Sequence, residues 1–538
     1  MAAPVSWRKL LNSVSPAVTG AFSRITDRLC RARDRGGGSS VLLLAPLLAE
    51  TDSAPRLMPR SQSSAGARGT SDGLCPHFRW MSQLVPAFRV PGTRIHILHS
   101  PDQFYQTMKA RIRTAQRRVV MASLYLGTGH LEQELVDCME EALERSEENG
   151  SRLKVSVLLD YTRGSRGLEN SRTMLLPLLS RFLSQMRVSL YHTPDLRGLL
   201  RLLVPQRFNE TIGVQHIKVY LFDDSLIISG ANLSESYFTN RQDRYVLLEG
   251  CSEVADFFSD LVDAVGDVSL QLQPDDSVTM VEGMVHPYKG NRQDFSRAAQ
   301  SRIMEVLQEA QLRQQLQEDQ EEPEEDQDTW VFPLVQMKPL GISLDEQVTQ
   351  RLLVDSSSGS SVFLTSGYFN LTRAYMRLVL GAGAEYRILT AAPEVNGFFG
   401  AKGVAGAIPA AYVHIARQFY NQVVRLRQQG RVHLHEYHRD QWTFHAKGLW
   451  YYLAGQPRPC LTLIGSPNFG YRSVHRDLEA QIAIVTDNED LQTQLQEEQQ
   501  MLYHRSSEVS SSTTSSDPDC CCQDAQTPLC ILGVGVPQ

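Results

Sequence analysis

Apolar residues recur along this chain in two rhythms. Short runs such as RVVMASLY (118–125), LKVSVLLD (153–160), RVSLY (187–191) and HIKVYLF (216–222) have the length and the Val, Leu and Tyr content of buried strands. Between them lie longer stretches with apolar positions three and four apart. In FYQTMKARIRTAQRR (104–118), Phe104, Met108 and Ile112 share one helical face. That face can pack into a domain or, with its basic flanks, rest on anionic lipid, and packing is the weightier reading. Strands alternating with helices in this order predict an α/β layered domain.

The pattern then repeats. SVFLTSGYFNLT (361–372) answers the run from 118, YRILTAAPEVNGFFGAKG (386–403) answers the run from 153, and RVHLHEYHRD (431–440) answers the run from 187. A repeat of roughly 200 residues is a duplicated domain, because solenoid repeats are far shorter. Composition marks the breaks. Residues 1–35 are Arg-, Ser- and Ala-rich with no acidic residue before Asp27, which predicts a mitochondrial transit peptide. A Ser/Arg/Gly/Pro linker is expected over 36–92, a first lobe over 93–306 and a charged, Gln-rich linker over 307–329. A second lobe over 330–505 and a disordered Ser/Thr/Cys tail over 506–538 complete the reading.

The candidate chemistry sits on the last strand of each repeat. HIKVYLFDD (216–224) and HAKGLWYYL (445–453) each carry a His-x-Lys. Alternation along a strand puts His216 with Lys218, and His445 with Lys447, on one face, with Ile217 and Ala446 on the other. An imidazole beside an ammonium group suits a phosphate: the lysine holds non-bridging oxygens while the imidazole attacks or shuttles protons. The chain has 8 lysines among its 53 basic residues, so two such triplets at matching places are not chance. After each comes a small-residue turn ending in Asn232 or Asn468, and eleven residues further on a carboxylate, Asp243 or Glu479. Such a carboxylate fixes an imidazole's tautomer and raises its basicity.

His216-x-Lys218-x4-Asp223 followed by a turn and Asn resembles the HKD motif of the phospholipase D superfamily. The resemblance covers about 95–505. It implies two pseudo-symmetric lobes, each a mixed sheet flanked by helices, with one active site at their interface. It assigns catalysis to His216, Lys218, His445 and Lys447, with motif Asp223 completing the set from behind the lobe. Asp243 would orient His216, and Glu479 would orient His445. Tyr452 stands where the second motif should have its aspartate, and the first turn reads Ser229-Gly230-Ala231-Asn232 in place of Gly-Ser-x-Asn. DYTRGSRG (160–167) and RQDRY (241–245) resemble the branch that uses CDP-diacylglycerol. This implies phosphatidyl transfer to glycerol 3-phosphate through a phosphatidyl-His216 intermediate, with His445 moving protons and no cofactor or metal. Arg163, Arg166 and Arg472 are candidates for the acceptor's phosphate.

The remaining numbers narrow the alternatives. A net charge of -7 argues against a general nucleic-acid binder. VLLLAPLLA (41–49) is far short of the ~20 residues that span a bilayer, so work on lipid would be done from the membrane surface, expected at the mitochondrial inner membrane. Of nine cysteines four lie in the tail, and the other five, scattered without paired spacing, fit free thiols. His433, His435 and His438 lack the His-Glu-x-x-His spacing of a zinc helix and read as a solvated strand end. A phospholipid or nucleic-acid hydrolase would use the same residues, and Tyr452 keeps a lipid-binding pseudoenzyme open.

Overall fold

The structure is a computed structural model that describes residues 75–318, 327–397, 399 and 408–509. The expected transit peptide, linker residues 36–74, residues 319–326 and the chain from 510 lie outside the described residues.

Among the described residues two mixed sheets, of nine and ten strands, organise the fold. The first is built on Ile95–Leu98 (β1), Arg118–Ala122 (β2), Lys154–Asp160 (β3), Met186–Tyr191 (β4), Val219–Phe222 (β5), Ser225–Ser229 (β6) and Tyr245–Leu248 (β7). Its spatial order is β4-β3-β2-β5-β6-β7-β1. The second is built on Thr329–Met337 (β8), Ser361–Thr365 (β9), Glu385–Ala391 (β10), Val432–Tyr437 (β11), Gly448–Tyr452 (β12), Leu461–Gly465 (β13) and Glu479–Thr486 (β14). Its order is β11-β10-β9-β12-β13-β14-β8, the first order with seven added to each label. In both, the first three strands run parallel and the rest antiparallel.

The strand period explains the packing. Ile217, Val219, Leu221 and Ile228 of the first sheet join Ala446, Trp450, Ile464 and Ile482 of the second in one continuous core. The intervening residues Tyr220, Phe222 and Ile227 enter a separate core. Helix Pro101–Thr114, capped by Ser100, buries Phe104, Met108 and Ile112 completely in that core, so this face packs and does not meet lipid. A buried clamp ties the two sheets together. The Arg244 guanidinium donates to Glu498 from Nε (2.8 Å) and Nη2 (2.7 Å), and lies 3.8 Å from the Trp450 ring centroid. Gly448 (φ 125°) leaves room for it, since a Cβ there would stand 2.5 Å from Arg244 Nη1 and 2.1 Å from the Leu463 carbonyl.

Three expected boundaries move. The expected linker 36–92 gives way to packed structure within its described part: Phe78, Trp80, Met81 and Val85 are buried, and Phe88–Val90 pairs with β8. The expected break at 307 falls inside helix Arg292–Glu318, which buries Ile303, Val306, Leu307 and Ala310 at helical spacing. The tail begins as a strand, Ser506–Glu508, along β11. That strand engages the three histidines of this edge: His433 Nδ1 lies 2.7 Å from Glu508, His438 Nε2 3.0 Å from Ser507 Oγ and His435 Nδ1 3.5 Å from Ser506 Oγ.

Candidate active site

Each His-x-Lys occupies an extended segment immediately ahead of a strand, β5 for the first and β12 for the second. These segments find their partners in the other half of the chain. His216 N donates to the Leu478 carbonyl (2.8 Å), and Leu478 N to that of Val214 (2.8 Å). Thr443–Phe444 pairs in parallel with Arg241–Gln242, and His445 N donates to the Gln242 carbonyl (2.8 Å). Each histidine is therefore laid beside the residue that follows its neighbour strand, and that residue is the other half's carboxylate.

The carboxylate pairing expected within each half is corrected accordingly. His216 Nδ1 lies 2.9 Å from Glu479 Oε2, and His445 Nδ1 lies 2.6 Å from Asp243 Oδ2. Equal spacing in sequence gave each half its own carboxylate, but the docking of the halves exchanges them. An Nδ1–H donated to a carboxylate leaves Nε2 with the lone pair, the state a nucleophile or base requires. The lysines close the cluster: Lys218 Nζ donates to the His216 carbonyl (2.7 Å) and Lys447 Nζ to the His445 carbonyl (2.6 Å), with Asp243 Oδ2 3.6 Å from Lys447 Nζ. All six side chains are buried, Lys218 and Glu479 to 0% exposure.

Burial dominates their electrostatics. It lowers His216 despite the opposing pull of Glu479, and it lowers His445 well below the usual histidine value with help from Lys447, Arg241 and Lys218. Both imidazoles are neutral near pH 7. Burial drives Lys218 far down and lowers Lys447, only partly countered by Glu479 and Asp243. Glu479 resists burial: the charge and hydrogen bond of His216, then Lys218 and the Ser466 hydroxyl, hold it at about 2. Asp243 is raised by burial against Lys447 and the Arg244 N–H. Two buried lysines whose ammonium forms are only partly compensated by Asp243 and Glu479 make a site for an anion of phosphate size, which would favour their charge.

The turns differ as the sequence suggested. Ser466 Oγ donates to Glu479 Oε2 at 2.5 Å. Ser229 does not play that part, because its Oγ donates to the Arg244 carbonyl (2.7 Å). Gly230 stands in the serine's place, where a Cβ would sit 2.6 Å from Asp243 Oδ1 and 2.8 Å from Lys447 Nζ. Asn232 Nδ2 donates to Tyr237 Oη (3.0 Å), and Asn468 Oδ1 accepts from Ser366 Oγ (3.3 Å).

Asp223, grouped with the catalytic motif, does not touch the histidines or lysines. It sits in the β5–β6 turn with φ 52°, and its carboxylate accepts from the backbone N–H groups of Gln116, Arg117 and Arg118 (3.0, 2.7 and 3.1 Å), fixing the entry to β2. Tyr452 at the matching place packs on Phe363 and donates to Gln499 (3.1 Å), so a different contact buttresses the second half. The three candidate arginines are already paired. Arg163 and Arg166 share Glu210, and Arg163 also stacks 4.0 Å from the Tyr125 ring centroid. Arg472 donates to Asp477 (2.9 Å), whose other oxygen accepts from Val214 N (3.1 Å).

Two further residues join the site that the motif spacing does not mark: Tyr237, whose Oη lies 3.4 Å from His445 Nε2, and Asp160. Asp160 accepts from Thr162 Oγ1 (2.6 Å), Arg163 N (2.9 Å) and Gln215 N (3.1 Å), joining the DYTRG loop to the first motif; burial raises it to about 7. Both residues lie in segments already singled out, and for Asp160 the available signal was an apolar run ending in an acid.

Comparison with known proteins follows the same line. No family model matches. The chain is 60% identical over 521 residues to the mitochondrial CDP-diacylglycerol–glycerol-3-phosphate 3-phosphatidyltransferase of Homo sapiens, covering 92% of each chain. The CDP-diacylglycerol–glycerol-3-phosphate 3-phosphatidyltransferase of Saccharomyces cerevisiae is 35% identical over 442 residues, covering 77% of this chain and 82% of its own. The crystal structure of phosphatidylserine synthase from Haemophilus influenzae superimposes with a TM-score of 0.60 at 20% identity, over 81% of this chain and 92% of that one, and so shares the fold. With this degree of identity and coverage, the chain belongs to the CDP-diacylglycerol–glycerol-3-phosphate 3-phosphatidyltransferase family.

Proposed function

We propose that this chain transfers the phosphatidyl group of CDP-diacylglycerol to glycerol 3-phosphate, giving phosphatidylglycerophosphate and CMP, the committed step towards phosphatidylglycerol and cardiolipin. The observation that carries this reading is the crosswise pair of neutral histidines, His216 on Glu479 and His445 on Asp243, over two buried lysines. The matching strand orders support two pseudo-symmetric lobes sharing this one site. Each lobe supplies a histidine and the carboxylate that holds the other.

His216 Nε2 attacks the phosphorus bonded to diacylglycerol; the bond to the CMP oxygen breaks and a phosphatidyl-histidine forms. Lys218 and Lys447, with Asn232 and Asn468, hold the phosphoryl oxygens as charge builds. The departing cytidine phosphate has a second ionisation near ~6 and needs little protonation to leave. The acceptor hydroxyl does need a base, and neutral His445 takes its proton while the oxygen displaces His216. Asp243 and Glu479 hold the two rings in place.

Among the described residues no helix is long and apolar enough to cross a membrane, so the lipid is met at a surface. Leu168, Leu199, Leu202 and Leu203 are 97, 74, 79 and 63% exposed. They lie on the loop after Arg163 and on helix Gly198–Leu203, joined where Arg166 donates to the Gln206 carbonyl (3.1 Å). These leucines, beside Arg201, form the lip that rests on the bilayer. The relatives' mitochondrial location and the basic residues 1–35 support import to the inner membrane.

The test supplies the full-length protein with radiolabelled CDP-diacylglycerol in mixed micelles, with EDTA and either glycerol 3-phosphate, serine, phosphatidylglycerol or water alone. Phosphatidylglycerophosphate formed only with glycerol 3-phosphate, and lost in His216→Ala, is the expected result. Phosphatidic acid formed equally with every acceptor would make the chain a hydrolase, and absence of turnover a pseudoenzyme.

A further inference from the structure

Arg241, the first residue of RQDRY, is a cation of this site to which neither the His-x-Lys pairs nor the catalytic scheme gives a role. It lies two residues ahead of Asp243 on the short strand Arg241–Gln242. Its Nε donates to Thr443 Oγ1 (3.0 Å) and its guanidinium lies 4.6 Å from the Tyr237 ring centroid. A Cβ at Gly397 would stand 3.0 Å from Arg241 Nη2 and 3.6 Å from Tyr368 Oη, so the glycine keeps the space between them open.

The surroundings set it apart from its neighbours. Arg244 is paired with Glu498, Arg472 with Asp477, and Arg163 and Arg166 with Glu210. Among the described residues no carboxylate stands within ion-pair distance of Arg241, and the groups that favour its charge are tyrosines 237, 368 and 125. A half-buried guanidinium without an anion is costly unless a ligand supplies one. Its position says which ligand. Tyr237 Oη is 3.4 Å from His445 Nε2, the Tyr368 ring is 6.4 Å from the His445 ring, and the charge of Arg241 helps to keep His445 neutral.

We propose that Arg241, seated on Thr443 and flanked by Tyr237 and Tyr368, is a phosphomonoester subsite on the His445 side of the reaction, occupied in turn by the phosphate of CMP and by that of glycerol 3-phosphate. The proposal rests on the transfer reading above. In-line attack by His216 expels the leaving group on the opposite side, and the acceptor must return from there to displace His216. Both compounds that pass through this side carry a phosphate. A planar guanidinium fork recognises such a group, and an acceptor without it leaves the fork unpaired.

The experiment uses the full-length protein, wild type, Arg241→Gln and Arg241→Lys, in mixed micelles with CDP-diacylglycerol. One arm follows transfer to glycerol 3-phosphate against glycerol. A second follows exchange of radiolabelled CMP into CDP-diacylglycerol without acceptor. In Arg241→Gln the KM for glycerol 3-phosphate is expected to rise about 10- to 100-fold, the size of a lost charge-assisted contact, with kcat changing less. Selectivity over glycerol shrinks accordingly, and Arg241→Lys recovers part of the loss. A raised CMP KM in the exchange arm assigns the subsite to the nucleotide as well, and a raised KM in one arm only names its single occupant. Thermal stabilisation by glycerol 3-phosphate, present in wild type and lost in Arg241→Gln at equal starting Tm, separates this from misfolding. Unchanged KM in both arms would overturn the subsite. A wild type that makes no phosphatidylglycerophosphate would instead overturn the transfer reading.

Discussion

The two half-sites share a sequence pattern and differ in what surrounds it. On one side, Glu479 is gripped by His216 and by the Ser466 hydroxyl and stays ionised down to about 2. On the other, Asp243 faces Gly230 and Lys447, and burial raises it. His216 therefore has a permanent anion behind its ring, which favours the positive charge that develops when Nε2 attacks. His445 is crowded by Lys447, Arg241 and Lys218 and is kept neutral, which suits a base. In our reading, near-symmetric motifs thus divide the labour through their neighbours. The difference makes His216 the nucleophile in our reading, a choice the motifs alone leave balanced.

The sharpest way to break this comparison is to remove each histidine. His216→Ala should cost at least ~10⁴-fold in turnover, and His445→Ala roughly 10²- to 10⁴-fold. With CDP-diacylglycerol labelled in the diacylglycerol-linked phosphate, an acid-labile protein adduct should accumulate in His445→Ala and be missing in His216→Ala. The opposite pattern would reverse the assignment. A clamp-breaking change, Glu498→Ala, should destabilise the protein by about 3–5 kcal/mol, because it leaves Arg244 buried and unpaired; denaturant unfolding measures this.

The carboxylates sharpen the comparison through pH. Glu479 titrates lower folded than its ordinary 4.5, so its contribution to stability is full above 4.5 and is lost as pH falls towards about 2. Asp243 titrates higher folded, so its contribution is present below its ordinary 3.8 and is lost as pH rises through the folded value. Glu479→Gln should therefore flatten the acid side of the stability curve between about 2 and 4.5, and Asp243→Asn should raise stability near neutrality. Equal effects in urea unfolding across this range would erase the distinction. For activity, a lowered His216 places the acid limb of kcat/KM below the ordinary histidine value of 6.5.

The smallest effect concerns the surface. The most exposed leucines, Leu168, Leu199, Leu202 and Leu203, lie in the first half. Replacing Leu199, Leu202 and Leu203 together with serine should weaken binding to anionic vesicles about tenfold or more while leaving the melting temperature within a degree or two. Unchanged vesicle flotation would exclude this lip as the membrane contact.

Local sequence determined a good deal here. Strand-length apolar runs, the duplicated order, both His-x-Lys faces and the carboxylate eleven residues after each Asn were legible because alternation and helical spacing are properties of neighbouring residues. The boundaries within 36–92, at Ile303–Ala310 and at Ser506–Glu508 were not, since polar composition hides segments that a larger body recruits into its packing. Which carboxylate serves which histidine was decided by tertiary structure alone. Glu479 stands 263 residues from His216 and Asp243 stands 202 from His445, and only parallel pairing of the motif segments across the two halves brings them within 2.9 and 2.6 Å. Burial, likewise a property of the assembled halves, lowers both histidines and both lysines and raises Asp243, while Glu479 is held ionised against it by His216, Lys218 and Ser466.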